Sequence, residues 1–480
     1  MGVRFTEKHM KLTPLDTWIH DKIAPVLDGE INARPPGPAI ARSVPQRRGN
    51  LVDVWQLQKL NETLALARGK SSFYRKHFQG LPESIRSMDE LRRFPFTTAE
   101  DVRRNPLQFV CVSQDEIQRV VTLYSSGTTG EPKRIYFTAE DQELTIDFFS
   151  IGMSTFTEPG DRVLILLPGE TPGSVGDLLR LGLGRLGREP IAYGPIRDPL
   201  HALEVLNDKK VNCLVGSPTQ VLGLARRWQH AARPDMHKPR SVLLSTDYLP
   251  AAIVNVLREI WGCDVYNHYG ATEMGLGGGV ECEAHRGYHL READLFFEVV
   301  DPMTGEPIPD GHYGELVFTT LTRRGMPLIR YRMGDRSRFI LGDCPCGTRL
   351  KTLESVRGRF SGFVVVGDAV LSLPDFDEAL FSIPGLLNFS VAVTGAGGKE
   401  SVSIDVQMLT APIETDDQSV CDSIVVKGSG IPAATRLIYQ ALGTIPSIKD
   451  IEVNIHCQYN PDETGSLLKR VIVDKRGQHA

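Results

Sequence analysis

The amino-acid sequence predicts an α/β protein with a doubly wound parallel sheet, a smaller antiparallel or barrel-like part, and a small C-terminal α+β unit. Three observations lead to this prediction. Short aliphatic runs recur between helical patterns from about residue 120 to 265, and alternation with Gly and Pro turns replaces them from about 295 to 338. A new set of segments begins after Arg359. Strands that alternate with helices favour parallel β-α-β units, whereas alternation between turns favours antiparallel pairing.

The elements follow in chain order. The first hundred residues are predicted to be a helical lead-in, with an amphipathic run from Val52 to Leu66. The sheet region alternates strands with helices: strands Val120–Leu123, Val163–Leu167, Val211–Val215 and Val242–Leu244, and helices Gly176–Leu186, Pro218–Trp228 and Pro250–Trp261. The later segments are strands Leu295–Val300, Gly314–Thr320, Phe363–Val366, Phe389–Val393 and Ile451–Ile455, and a helix at Asp375–Phe381.

The bulk composition excludes several classes of protein. An apolar share of 41%, a charged share of 24% and a net charge of -5 give no basic surface that would indicate a nucleic-acid partner. The N-terminus carries no secretory signal, and the apolar runs are too short to cross a bilayer, so no membrane partner is predicted. Eight cysteines, scattered except for Cys344 and Cys346, favour a reducing compartment, and we expect a cytoplasmic protein.

One loop carries most of the chemical information. Between two strand-like runs the chain reads Ser125, Ser126, Gly127, Thr128, Thr129, Gly130, Glu131, Pro132, Lys133. Backbone without bulky side chains can approach a polyphosphate closely, hydroxyl and N–H groups donate to its oxygens, and a lysine neutralises its charge. The spacing is not that of the Walker loop. The alternative is an ordinary hairpin turn rich in small residues.

Three later segments support nucleotide binding. Tyr269-Gly270-Ala271-Thr272-Glu273 offers an aromatic face for a purine and a carboxylate suited to Mg²⁺ among phosphates. Tyr331-Arg332-Met333-Gly334-Asp335 ends on a carboxylate that suits a ribose diol, and Gly358-Arg359 opens the last unit. Each segment alone is as well explained by a surface glutamate, a turn aspartate or a solvated arginine.

Taken together, these motifs resemble, in order and spacing, the superfamily of adenylate-forming enzymes. This superfamily includes acyl-CoA synthetases, peptide-synthetase adenylation domains and luciferases, and the sequence looks most similar to the phenylacetate-CoA ligase branch. The resemblance implies a large adenylating domain at residues 1–358 and a small, mobile C-terminal domain at 359–480. It also implies that a small carboxylic acid reacts with MgATP to give an acyl-adenylate and pyrophosphate, after which a thiol, usually that of CoA, displaces AMP.

The resemblance also assigns roles to individual residues. It implies that residues 125–130 and Lys133 hold the β- and γ-phosphates, and that Thr272 and Glu273 hold the α-phosphate and Mg²⁺. Tyr269, followed by Gly270, would flank the adenine. Asp335 would bind the ribose, and Arg359 would lie at the hinge between the domains.

Three positions depart from the family pattern. Ser361 stands where an acidic pivot is usual, and Ser245-Thr246-Asp247 replaces a glycine-rich stretch beside the adenine. Ser466 stands where the adenylation lysine should fall, so Lys469 is the candidate catalytic lysine, and the alternative is a surface lysine beside Arg470. The departures keep open two other functions: an adenylating enzyme with a non-CoA acceptor, and a nucleotide-binding accessory protein without catalysis.

A second site is predicted from thiol and imidazole groups. Cys344 and Cys346 form a tight Cys-x-Cys turn, and Cys282 and His289 lie upstream. Three thiolates and one imidazole complete a tetrahedral, structural zinc shell, and related sequences often carry this arrangement. His289 is preferred over His285, and the alternative is a set of unrelated side chains. For the oligomeric state a homodimer is the reasonable prior.

Overall fold

The computed structural model describes residues 13–33, 48–124, 132–231, 236–396, 399–409, 433–449, 451–459 and 470–476. The α-helices of the described chain are α1 Pro14–Ala33, α2 Arg48–Lys70, α3 Ser72–His77, α4 Ala99–Arg104, α5 Ala139–Met153, α6 Val175–Arg185, α7 Pro199–Asp208, α8 Pro218–His230, α9 Ala251–Trp261, α10 Leu373–Leu380 and α11 Ala433–Leu442. The described part of the first hundred residues is largely helical, as predicted.

The strands of the same ranges are β1 Ile117–Leu123, β2 Lys133–Thr138, β3 Arg162–Ile165, β4 Glu189–Ala192, β5 Cys213–Gly216, β6 Ser241–Leu244, β7 Asp264–Tyr269, β8 Gly279–Glu281, β9 Tyr288–Leu290, β10 Leu295–Val300, β11 Gly314–Thr320, β12 Tyr331–Ser337, β13 Thr352–Leu353, β14 Phe363–Val366, β15 Ala369–Ser372, β16 Leu386–Ala396, β17 Lys399–Met408, β18 Glu452–Tyr459 and β19 Ile472–Asp474.

The central sheet has the order β13-β9-β8-β7-β6-β5-β3-β4. Strands β4, β3, β5, β6 and β7 pair in parallel, and β8, β9 and β13 extend the sheet in antiparallel fashion. Alternate residues of one strand enter opposite cores: Val163 and Ile165 pack with α5 and α6, whereas Leu164 packs with α7, α8 and α9. Both faces of the sheet are therefore covered, and the doubly wound prediction is confirmed.

Local sequence explains where the helices begin and end. Thr138 caps α5: its side chain accepts from the N–H of Asp141, whose carboxylate accepts from the N–H of Thr138 in return. Helix α9 ends at Gly262, which adopts a φ of 66° and donates its N–H to the carbonyl of Arg258. A left-handed residue at this position favours glycine, which has no Cβ to clash.

Two smaller antiparallel sheets flank the central one. Strands β1 and β2 form a hairpin in which Leu123 pairs with Lys133, so the predicted phosphate loop connects its two strands. Strands β10, β11 and β12 form a sheet in that order. Of the two forms predicted for this part, a sheet or a small barrel, the described strands form the open sheet, because β11 pairs with both neighbours and β10 and β12 do not pair with each other.

The chain after Arg359 forms a β14–β15 hairpin and a four-stranded sheet of order β18-β17-β16-β19. Its apolar residues, such as Phe376 and Phe381, belong to the same core cluster as Ile253 of α9. The predicted polar insert at residues 414–419 lies outside the described residues. Within the described residues, no helix is both long and apolar enough to span a membrane.

Candidate active site

Three elements bring a lysine, a glutamate and a tyrosine together. Lys133 is the first residue of β2, Glu273 lies in a short 3₁₀ helix after β7, and Tyr331 is the first residue of β12. The Nζ of Lys133 forms an ion pair with Oε1 of Glu273 and lies 3.1 Å from the hydroxyl of Tyr331. That hydroxyl donates to the same Oε1 over 3.3 Å.

The Glu273 carboxylate is held in its charged form. Only 7% of the residue is exposed, and this burial by itself raises the pKa. The charge and hydrogen bond of Lys133, together with a backbone hydrogen bond and the charge of Arg359, outweigh burial, so the pKa of Glu273 lies below its usual value. A buried ionised carboxylate whose counter-cation is a flexible lysine is well suited to exchange that partner for another cation.

The backbone around Glu273 is fixed from behind. Arg323 donates from Nη1 to the carbonyl of Glu273 over 2.6 Å and from Nη2 to the carbonyl of Tyr136 over 3.1 Å. A Cβ placed on Gly270 would lie 2.1 Å from the carbonyl oxygen of Leu276, so the tight turn after β7 requires glycine at this position. The turn positions Thr272 at the start of the 3₁₀ helix, directly before Glu273.

A second group lies at the end of the same strand. The Tyr269 hydroxyl donates to Oδ2 of Asp335 over 2.8 Å, and Nε of Arg359 donates to Oδ1 over 3.0 Å. Burial, followed by the charge of Asp335, raises the pKa of Tyr269 far above its usual value, so the phenol stays protonated and remains a donor. Each Asp335 oxygen retains a lone pair for a further donor.

The segment around Arg359 is attached to β12 by its backbone. The N–H of Arg336 donates to the carbonyl of Gly358, and the N–H of Phe360 donates to the carbonyl of Gly334. Gly358 has a φ of 108°, a conformation in which a side chain is strained. The predicted hinge is therefore tied to the strand that carries Asp335.

Several residues that the sequence indicated lie outside the described residues: Ser125, Ser126, Gly127, Thr128, Thr129, Gly130, Ser466 and Lys469. Of the other predicted nucleotide-site residues, Lys133 forms an ion pair with Glu273. Asp335 accepts hydrogen bonds from both Tyr269 and Arg359.

Sequence reasoning assigned no role to Tyr331 or Arg323. A signal for Tyr331 did exist, because successive residues of a strand point to opposite faces and Tyr331 and Asp335 therefore share one face of β12. Nothing local to Arg323 indicated that it would contact Glu273.

The four predicted metal ligands also come together. The ligand atoms of Cys282, His289, Cys344 and Cys346 all lie within 4.8 Å of one another. The Sγ atoms of Cys282 and Cys344 are 3.6 Å apart, and Sγ of Cys346 is 3.3 Å from Nε2 of His289. Nδ1 of His289 is 3.3 Å from the Thr352 hydroxyl, which orients the imidazole.

His285, the less favoured imidazole, lies elsewhere. Its Nδ1 is 3.5 Å from a carboxylate oxygen of Glu281, and its ring is 4.9 Å from that of Tyr266.

Comparison with known proteins gives matches over most of the chain. Residues 68–321 match a family model described as AMP-binding enzyme. The phenylacetate-coenzyme A ligase of Thermus thermophilus is 27% identical over 388 residues, which cover 78% of this chain and 85% of that protein. The enzyme of the same name from Escherichia coli is 25% identical over 76% of this chain and 84% of its own length.

A solved structure gives a likeness in fold. A crystal structure of 2-hydroxyisobutyryl-CoA ligase in the postadenylation state, in complex with R3-HIB-AMP, has a TM-score of 0.71 at 19% identity. The matched region covers 92% of this chain and 94% of that one.

Proposed function

The chain belongs to the AMP-binding enzyme family, and from this premise we propose that it activates a small carboxylic acid with ATP and transfers the acyl group to CoA. The observation that carries the proposal is the buried Lys133–Glu273 pair beside the Tyr269–Asp335 pair. The similarity to phenylacetate-coenzyme A ligases supports the choice of a carboxylic acid and CoA as substrates.

The first step needs charge neutralisation more than covalent help. An oxygen of the acid attacks the α-phosphorus of ATP, the bond to the β-phosphate oxygen breaks, and pyrophosphate leaves with its electron pair. Both reactants are anions, so positive charge near the phosphates lowers the barrier. Lys133 would supply one positive charge, since its ammonium already occupies the pocket next to Glu273.

Glu273 fits the role of a magnesium ligand. Mg²⁺ prefers hard oxygen donors and is usually held by one or two carboxylates together with phosphate oxygens and water. An ionised, buried carboxylate such as Glu273 meets this requirement, and Thr272 beside it offers a hydroxyl. A bound Mg²⁺ would neutralise phosphate charge. Lys133 would then be free to pair with phosphate oxygens.

The nucleoside would be held at the same C-terminal end of β7, by Tyr269 and Asp335. Asp335 keeps one acceptor position on each oxygen for the ribose hydroxyls, because Tyr269 and Arg359 occupy one position each. Tyr269 would present its ring to the adenine while its hydroxyl fixes Asp335. The flexible partner here is Arg359, whose side chain is 45% exposed, so its ion pair with Asp335 is weak enough to open.

The cysteine–histidine cluster fits a structural zinc ion. Tetrahedral zinc places its thiolate sulfurs about 3.8 Å apart, given Zn–S distances of about 2.3 Å. The Cys282–Cys344 separation of 3.6 Å agrees with that value. Four protein ligands leave no open position, so the ion would stabilise the fold without entering the reaction. It would hold the Cys344–Cys346 turn against β9.

Several further assignments remain our proposals. Lys469 would be the catalytic lysine of the first step, and a boundary near residues 358 and 359 would separate a large adenylating domain from a small one. The described cysteines form no disulfide, which supports a reducing compartment such as the cytoplasm. The homodimer stays a prediction.

The acceptor can be identified by product analysis. If CoA is the acceptor, its addition to enzyme, ATP and the activating acid releases AMP and forms a thioester in equal amounts. If AMP appears only with an amine or an alcohol, the adenylating function stands and CoA is the wrong acceptor. ATP binding without any turnover would favour the accessory role.

A further inference from the structure

The guanidinium of Arg470 is buried between two carboxylates from distant parts of the chain. Its Nη1 donates to Oδ1 of Asp377 over 2.7 Å, and its Nε lies 3.6 Å from Oδ2 of Asp247. Asp377 belongs to α10, after Arg359, whereas Asp247 follows β6 in the central sheet. Arg470 therefore joins the C-terminal part of the chain to the loop at residues 245–248.

Other polar contacts cross the same interface. Glu378 accepts from the hydroxyl of Tyr248 over 2.7 Å and from the N–H groups of Ala251 and Ala252 at the start of α9. Arg226 of α8 donates from Nη2 to the carbonyl of Phe381 over 2.6 Å. The interface thus combines an apolar core with charged groups on both sides.

The charged groups are not fully satisfied. Among the residues that the structure describes, Nε and Nη2 of Arg470 and Nη1 of Arg226 are buried and have no hydrogen-bond acceptor. A buried donor without an acceptor lowers the stability of the state that buries it. Because these unpaired donors oppose burial, the packing of the C-terminal part depends on the ion pairs that Arg470 makes with Asp247 and Asp377.

The loop that Arg470 contacts is strained and lies beside the candidate nucleotide site. Thr246, a β-branched residue, adopts a φ of 79°, which is rarely populated by such residues. The hydroxyl of Ser245 is 2.8 Å from Nδ1 of His268, the residue before Tyr269. Asp247, which follows β6, therefore lies at the same end of the sheet as Tyr269, the last residue of β7.

We propose that Arg470 is a positioning residue for acid activation: by pairing with Asp247 and Asp377, it holds the C-terminal part against the nucleotide side of the site. The inference rests on the proposed function. The predicted catalytic lysine, Lys469, directly precedes Arg470 in the sequence.

The test separates the two halves of the reaction. Arg470→Ala is expected to lower acid-dependent exchange of pyrophosphate into ATP at least about 10-fold. Thioester formation from the synthetic acyl-adenylate and CoA should change less than about 3-fold, and Arg470→Lys should restore part of the exchange. The matched control is Arg476→Ala, because Arg476 pairs with Asp474 and Glu400 within the C-terminal part alone. Equal loss of both half-reactions, or unchanged exchange, would overturn the proposal.

A measurement without substrates tests the interface role of Arg470 separately from the proposed function. Hydrogen–deuterium exchange is followed in the peptide that contains Ala251 and Ala252, whose amides donate to Glu378 across the interface. We expect faster exchange there in Arg470→Ala and no change in Arg476→Ala. Unchanged exchange in Arg470→Ala would contradict the positioning role. If no acid supports pyrophosphate exchange in the unmodified protein but this peptide opens, the proposed function is wrong and the interface role of Arg470 stands.

Discussion

At the centre of the candidate site, one lysine neutralises one buried glutamate. Lys133 and Glu273 lie on different elements, and the hydroxyl of Tyr331 contacts both. Because the glutamate is ionised and shielded from water, its environment strongly favours a nearby cation. This pair is the part of the site where substrate phosphate and metal ion would compete for the same charges.

Lys133→Ala removes this charge. We expect acid-dependent pyrophosphate exchange to fall about 100-fold, the size of effect seen when one electrostatic contact to a transition state is lost. Arg134→Ala is the matched control, since Arg134 is the next residue of β2 and is exposed to solvent. It should change the rate less than about 2-fold. If Lys133→Ala exchanges pyrophosphate at the rate of the unmodified protein, Lys133 does not take part in acid activation.

At this scale the sequence predicted residue types better than contacts. Glu273 and Asp335 were identified by their motifs, and the structure gives both a specific partner. The Tyr331 contact was missed because it depends on how β12 approaches β2, a relation between strands far apart in sequence. The phosphate-loop residues 125–130 stay a prediction.

Among the elements, the segment between β9 and β10 contains a carboxyl group that is not used by the proposed chemistry. Glu292 is 8% exposed, and its Oε1 accepts from the N–H of Lys351 over 2.9 Å. Burial raises the pKa of Glu292 from about 4.5 to about 7, despite the opposing effect of Lys351. The folded state therefore binds this proton more tightly than the unfolded state does, and stability is lost as the pH rises from about 4.5 through 7.

Glu292→Gln removes the titration and keeps the acceptor oxygen. The free energy of unfolding of the variant, relative to the unmodified protein, should increase by about 3 kcal/mol between pH 4.5 and pH 8. Urea unfolding at both pH values measures this difference. The exposed Glu306 provides the control variant, Glu306→Gln, for which no such increase is expected. A difference that does not depend on pH would contradict the buried, protonated state of Glu292.

The zinc proposal also belongs to this scale, because the ion would join β9 to the Cys344–Cys346 turn. We expect about one zinc ion per chain by elemental analysis. Cys344→Ser should lose the metal and lower the thermal midpoint, since a structural zinc site contributes directly to folding. Cys457 lies outside the cluster, so the control variant Cys457→Ser should retain the metal. If the unmodified protein contains no metal, and the thermal midpoint of Cys344→Ser is unchanged, the proposed zinc site is wrong.

Element types were predictable wherever the hydrophobic pattern was long. The three strands and three helices predicted between residues 163 and 261 lie near observed elements, because a continuous aliphatic run and the helical period are both visible in sequence. Strand β4 and helix α7, which lie in the same range, were not predicted. Strands β8, β9 and β13 were not found. They have three, three and two residues, which is too short for a pattern to appear.

Across the whole molecule, one apolar cluster spans residues on both sides of Arg359. The polar contacts that accompany it join residues as distant in sequence as Asp247 and Arg470, and no local pattern predicts such pairs. The motifs predicted that ATP is handled. Ser361 and Ser466 left open how the C-terminal part takes part in the reaction, and the Arg470 interface suggests a specific answer.

Acid-dependent exchange of labelled pyrophosphate into ATP tests most directly whether the protein activates a carboxylic acid. Purified protein, ATP and Mg²⁺ are incubated with single aliphatic, aromatic or amino acids, without CoA. We expect exchange with at least one acid, none without acid, and loss of exchange in Glu273→Gln. Exchange that does not depend on acid, or its absence with every acid although ATP binds, would contradict the proposed acid activation.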